Sequence, residues 1–131
     1  MYSFDSLPVA TTLGSRDLTL SEDLVNAWLR LFPEDRDDGR MGGRMPAGMV
    51  AVVAMRAYAD VVAPRPPGNV HGAQRFEIVE RPRVGERLVT AVAIRDKEVK
   101  RDRRWVHLAT DTIGEDGTPR FRGRMTILWA A

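Results

Sequence analysis

Met49-Val-Ala-Val-Val-Ala-Met55 is a run of seven residues without a polar side chain. Pro46 stands just ahead of it and suits the first turn of a helix. Pro64, Pro66, Pro67 and Gly68 stop whatever helix it forms. Read as a helix, the segment is apolar all round. Such a helix is buried on most sides rather than laid on a surface. Met45–Met55 is also too short to span a bilayer. The rest of the chain must therefore wrap this element. Arg56 and Tyr58 mark where it should begin to emerge.

What precedes the run reads as one short strand and one helix. Val9–Leu13 has the character of a strand. Thr19-Leu20-Ser21-Glu22 reads as a capping box with Thr19 as N-cap and Glu22 at N3. Leu20, Leu24, Ala27, Trp28 and Leu31 then fall on one helical face. Pro33 and the acidic stretch Glu34–Gly39 end that helix, and residues 33–44 read as a loop.

After Asn69 the period changes to two. Gln74, Phe76 and Ile78 alternate with Arg75, Glu77 and Val79. Arg81–Glu86 reads as a turn, Leu88–Ile94 as a strand and Lys97–Arg104 as a charged hairpin connection. Trp105–Ile113 is a strand that ends at the hairpin turn Gly114-Glu115-Asp116-Gly117. Phe121, Gly123, Met125, Ile127 and Trp129 form one face of a last strand, opposite a basic stripe of Arg120, Arg122 and Arg124. Antiparallel strands with helices on one face define an α+β domain. The 131 residues suit one domain, with no room for a second.

Composition narrows the chemistry. There is no cysteine, which removes disulfide scaffolds, thiolate metal sites and cysteine nucleophiles. His71 and His107 are the only histidines and stand far apart, so no metal site is expected. Residues 1–64 carry a net charge of −3 and residues 65–131 a net charge of +5. That asymmetry favours an anionic ligand in the second half. The basic residues are interleaved with acids and no nucleic-acid motif accompanies them, so nucleic acid is not an expected partner. The N-terminus has no basic region and no long apolar run, and a cytoplasmic protein away from membranes is the expectation.

An α+β layout whose sheet must curl round a central helix resembles the hotdog fold. Residues 69–88 sharpen the likeness: Asn69-Val-His-Gly-Ala-Gln-Arg-Phe leads into Arg81-Pro-Arg-Val-Gly-Glu-Arg-Leu88. This is similar to the MaoC-like dehydratase family, particularly its N-terminal-type domains, where His-Gly-x-Gln-x-Phe leads into Arg-Pro-x-x-x-Gly-Asp-x-Leu. Glu86 replaces the usual Asp. Met45-Pro-Ala-Gly-Met49 and Asp111–Gly117 are similar too. The likeness covers roughly residues 15–130. It implies acyl-thioester chemistry, hydration of 2-enoyl-CoA or dehydration of a 3-hydroxyacyl thioester. Coenzyme A then enters as part of the substrate, with no separate cofactor.

Active members of the family carry Asp-x-Asn-Pro-x-His after the first helix, and a glycine at the start of the central helix polarises the thioester carbonyl. Enolate charge grows on that oxygen, where a helix N-terminus offers oriented donors. Gly48 matches this glycine. The stretch Phe32–Gly39 departs from the motif: Glu34 falls at the Asp position and Gly39 at the His position. The resemblance therefore implies either a rebuilt pair, with Glu34 and Asp35 as candidate catalytic groups, or a subunit that lacks one. Non-catalytic subunits of heterodimeric hotdog dehydratases share the Pro-Ala start of the helix and the Pro-x-x-x-Gly turn.

Gly48, Met49, His71 and Gln74 are the candidate substrate-binding residues. Each has a plainer reading. Glu34 and Asp35 also fit a solvated acidic loop. Gly48 also fits close packing. His71 also fits a strand-entry residue bonded to nearby backbone, and Gln74 a buried anchor that needs its amide satisfied. Met45, Met49 and Met55 suit either an acyl tunnel or ordinary core. His107 and Asp111 share a strand face about 13 Å apart, too far for a dyad. The Arg120, Arg122 and Arg124 stripe fits coenzyme A phosphates, solvent or a subunit contact.

The expectation is a single hotdog domain over 1–131. It would bind an acyl-CoA or acyl-carrier thioester as a homodimer, or as a heterodimer with a catalytic hotdog subunit. A hotdog thioesterase is the alternative enzyme, weakened because Ala47–Ala59 holds no carboxylate. A non-enzymatic acyl-CoA binding module is the third reading.

Overall fold

The computed structural model describes residues 1–36 and 43–130. Five strands form one antiparallel sheet: β1 (Thr11–Thr19), β2 (Val70–Ile78), β3 (Arg87–Lys100), β4 (Arg103–Ile113) and β5 (Pro119–Trp129), in the order β1-β3-β4-β5-β2. Helix α1 (Glu22–Leu31) follows β1, and α2 (Val50–Val61) precedes β2.

The alternation on β3, β4 and β5 builds one buried face. Leu88, Val92 and Ile94, then Val106 and Leu108, then Phe121, Met125, Ile127 and Trp129, all point to one face and are buried. That face receives α2, whose Val50, Val53, Ala54, Ala57 and Tyr58 are buried. Ala51, Val52 and Met55 are half-buried, so the helix that reads as apolar all round keeps one partly open flank. Tyr58 is not where the helix emerges: it is 6% exposed and belongs to the core.

Two clusters divide the core. One joins Met45, Met49, Val50, Val53, Leu20, Leu88 and Phe121 at the start of α2. The other joins Ala57, Tyr58, Ile94, Val106, Ile127 and Trp129 at its far end. There the N-terminal segment closes the sheet, with Leu7 buried and the Tyr2 carbonyl accepting from Trp129 Nε1 at 3.0 Å.

Several sequence expectations shift. The first strand runs Thr11–Thr19 rather than Val9–Leu13. Thr19 ends that strand opposite Arg87, so it cannot cap α1. Ser21 is the N-cap, and its hydroxyl accepts from Leu24 N–H at 3.1 Å. Strand pairing won over the local capping signal. Leu31 turns outward, 75% exposed, while Val25 takes the buried face. The charged connection 97–104 is mostly strand; only Arg101 and Asp102 turn.

Arg120 is the largest departure from the alternation. It stands next to Arg122 and Arg124 in parity, yet is 6% exposed. A register shift between Thr112 and Ile113 opens the ladder at this point. The guanidinium meets Glu86 at 2.8 Å, Asp116 at 3.2 Å and Glu80 at 3.8 Å. Gly114 leaves the space, since a side chain there would run into both Arg120 and Glu86. Glu86 also accepts from the Arg83 and Glu115 N–H groups, which ties the turn before β3 to the β4–β5 hairpin.

Burial alone would push the Glu86 carboxyl up, but hydrogen bonds from Arg120, Arg83 and Glu115 outweigh it and hold it below the ordinary 4.5. Asp116 is drawn from 3.8 to about 2, chiefly by the Thr118 N–H and hydroxyl. Carboxylates with lowered folded pKa stabilise above their unfolded values and lose that effect as pH falls through the folded ones. The window here runs from 4.5 down to about 2. Arg120→Ala is expected to cost about 3 kcal/mol in urea unfolding, since it strands a half-buried carboxylate. Arg124→Ala, on an exposed position, should change stability by less than about 0.5 kcal/mol. Across that acid window the wild type should lose stability more steeply than Arg120→Ala.

Candidate functional site

The start of α2 brings three separate pieces of chain together. After α1, Phe32 donates its N–H to the Trp28 carbonyl at 2.9 Å, and a 3₁₀ turn over Pro33–Asp35 doubles back. That turn places Asp35 Oδ2 2.8 Å from Trp28 Nε1, which donates to it. Phe32 packs on the same indole, ring centroids 4.4 Å apart. The far edge of the indole lies on Gly48. A Cβ at that position would fall 2.7 Å from Trp28 Cζ2. Close approach of the indole is therefore a physical reason for glycine there.

The helix itself begins as a 3₁₀ turn over Ala47–Met49. Met49 N–H donates to the Pro46 carbonyl at 3.0 Å, and Val50 N–H to the Ala47 and Gly48 carbonyls. Among the described residues, neither the Ala47 nor the Gly48 N–H reaches a backbone acceptor. These are the first donors of the helix, at the positive end of its dipole. The turn is anchored from behind: Met45 N–H donates to the Pro82 carbonyl at 2.7 Å, and Arg44 Nη1 to the Arg81 carbonyl at 2.8 Å.

Of the sequence candidates, Asp35 and Gly48 meet through Trp28. Glu34 sits on the same 3₁₀ turn with its side chain exposed. Met49 is fully buried against the core under the helix start. His71 and Gln74 stand elsewhere, on edge strand β2, paired with Ile127 and Met125 of β5. His71 Nε2 donates to the Ala73 carbonyl at 3.1 Å, and the side chain is exposed. Gln74 Nε2 donates to the Arg124 carbonyl at 3.1 Å, whereas its Oε1 is buried without a partner among the described residues. Gly39, at the family's histidine position, lies outside the described residues, as do Asp37 and Asp38.

His107 bonds Thr126 Oγ1 and Glu98 Oε1, each at 3.1 Å, and Asp111 pairs instead with Arg122 at 3.6 Å. No group of three or more metal-ligating side chains forms among the described residues. No helix among them is long and apolar enough to cross a membrane.

Trp28 is the residue that sequence reasoning assigned only to an apolar helix face. The available signal was its Nε1, a donor that needs a partner when its ring is covered, seven residues before the carboxylate of Asp35.

No family model matches the chain, and no curated protein sequence matches it. Solved structures do. A MaoC-like dehydratase from Rhodospirillum rubrum superposes with a TM-score of 0.82 at 17% identity, covering 100% of this chain and 99% of that one. An (R)-hydratase from Pseudomonas aeruginosa gives 0.76 at 15% identity, covering 97% and 84%. A 3R-hydroxyacyl-ACP dehydratase complex from Mycobacterium tuberculosis gives 0.73 at 14% identity, covering 92% and 99%. The fold is a hotdog, a curved antiparallel sheet round a central helix. Within that class the chain shares its architecture with MaoC-like dehydratases and (R)-hydratases.

Gly48→Ala should force the indole away, at a cost of about 1–3 kcal/mol. Asp35→Ala should release Trp28 Nε1 with a smaller loss. In an ¹H–¹⁵N spectrum, both variants should move the Trp28 indole resonance and leave those of Trp105 and Trp129 in place.

Proposed function

We infer that this chain is an acyl-thioester-binding hotdog subunit of a system that hydrates 2-enoyl or dehydrates 3-hydroxyacyl thioesters, and that it lacks the usual Asp/His pair. The observation that carries this reading is the start of α2. The Gly48 and Ala47 N–H groups supply donors for a thioester oxygen, while no histidine stands beside them. Both histidines of the sequence fall after residue 70. They sit on β2 and β4 beside Ile127 and Thr126, toward the opposite end of the sheet. Stabilising enolate charge needs only oriented N–H donors. Moving the proton needs an acid–base group, and the ordinary source of one near neutral pH is histidine.

The proton-handling half of the site then comes from a second hotdog subunit. Edge strand β2 supports that arrangement: among the described residues it is paired only on its β5 side, and Val70 and Ile78 within it and Val79 after it are exposed apolar groups. An exposed apolar edge is a template for pairing with another strand. The similar 3R-hydroxyacyl-ACP dehydratase from Mycobacterium tuberculosis is itself a complex. In this reading Asp35 holds Trp28 as a wall of the carbonyl site, Glu34 faces solvent, and Met49 packs the floor. The substrate is an acyl-CoA or acyl-carrier thioester, with coenzyme A as part of it and no separate cofactor.

The test is hydration of crotonyl-CoA, followed by loss of the enoyl absorbance. The isolated chain should bind crotonyl-CoA without turning it over above the buffer rate. Paired with a hotdog subunit bearing Asp-x-Asn-Pro-x-His, it should support turnover that Gly48→Val reduces on the order of a hundredfold, the scale of one oxyanion donor. Turnover by the isolated chain, abolished in Glu34→Gln, would overturn the reading and make Glu34 the base.

A further inference from the structure

A second feature lies at the far end of the sheet from the start of α2. The β3–β4 hairpin and β5 enclose an open cleft of about 660 Å³ lined by Lys100, Arg101, Arg103, Trp105, His107 and Glu98. It lies on the face away from α2, since Trp105 and His107 alternate with the buried Val106 and Leu108. From Leu88, beside the start of α2, it is roughly 40 Å along β3.

Several local costs converge on this hairpin. Lys100 stands directly across the ladder from Arg103, a like-charged pair that destabilises a sheet. Of the two turn residues, Asp102 suits its φ of +60°, but Arg101 has φ of +54°, a left-handed conformation that side chains other than Asn, Asp and Gly rarely take. The cleft's one carboxylate, Glu98, accepts from His107 Nε2 at 3.1 Å and stands against three cations. Among the described residues, Lys100, Arg101 and Arg103 have no ion-pair partner. Like charges gathered on a strained turn beside a half-exposed indole mark a place where ordinary stability rules yield to something else.

We propose that this cleft is a binding site for a nucleoside phosphate, with the base stacked on Trp105 and the phosphates held by Lys100, Arg101 and Arg103. The chemistry of the lining selects both halves of the ligand. Indole is a broad stacking surface for any base. Guanidinium groups match phosphate oxygens in pairs, and lysine adds a point charge. His107 is fixed between Thr126 and Glu98, so it presents a rigid ring edge beside the indole. An acidic protein would need only the cations. The concave shape and the indole favour a small ligand carrying a ring. This site stands apart from α2, and its assignment does not rest on the thioester reading.

The experiment is calorimetric titration of the full chain with ADP, adenosine and pyrophosphate. Saturable ADP binding is expected, with adenosine and pyrophosphate each weaker by about tenfold or more. Trp105→Leu should weaken ADP on the order of tenfold and leave pyrophosphate unchanged. Arg101→Ala/Arg103→Glu, on exposed positions that do not threaten the fold, should weaken ADP and pyrophosphate together and flatten the salt dependence. Thermal unfolding of each variant confirms that it is folded. Absence of saturable ADP binding by the wild type would overturn the proposal. So would pyrophosphate binding as tightly as ADP, or ADP binding that the arginine variant leaves intact.

Discussion

Burial of α2 against the concave side of the sheet is the constraint on which the rest of this molecule depends. Its Val50, Val53, Ala54 and Ala57 have no polar face to offer water, and the inward side chains of β3, β4 and β5 form the surface that takes them. A flat sheet would leave part of the helix exposed. Curvature is required, and the irregularities that allow it are visible as register shifts in all four ladders. Apolar surface removed from water stabilises by roughly 25 cal/mol per Å², and α2 buries five side chains this way.

That constraint also creates the candidate site. The helix start buries Met45, Pro46, Met49 and Val50 but leaves Ala47 and Gly48 at the surface, with their N–H groups free of backbone acceptors among the described residues. Here Met49 and Val50 spend theirs inside the 3₁₀ turn, while Ala47 and Gly48 remain beside the Trp28 indole. Asp35 fixes the indole, so the geometry at Gly48 depends on a carboxylate thirteen positions earlier. The Arg120–Glu86–Asp116 cluster plays the matching role on the other side. It ties the turn before β3 to the β4–β5 hairpin at the end of the sheet where α2 begins.

Much of this was legible beforehand because it is periodic. The two-residue alternation of Phe121 to Trp129 gave the buried face of β5 without error, and the apolar run from Met49 gave the central helix. Misreadings arose where a local signal met a tertiary demand. Thr19 fits a capping box but was taken by pairing with Arg87, so Ser21 caps instead. Arg120 shares parity with exposed arginines but is drawn inward by Glu86, which lies 34 residues away in sequence. At the β3–β4 tip, charge density read as loop, yet only two residues turn.

By itself the sequence determined an α+β domain with one buried helix, no thiol chemistry and no histidine before residue 71. Those are properties of residue type and local period, and no folding partner can alter them. The tertiary structure alone decided that Asp35 reaches Trp28, that Trp28 covers Gly48, and that Gln74 keeps one buried acceptor open. It also decided that three cations crowd round Trp105 without ion-pair partners among the described residues. Each of these is a meeting of side chains from separate elements or across a turn, set by the twist and register of the sheet. A single strand or helix carries no record of which residue will stand opposite it.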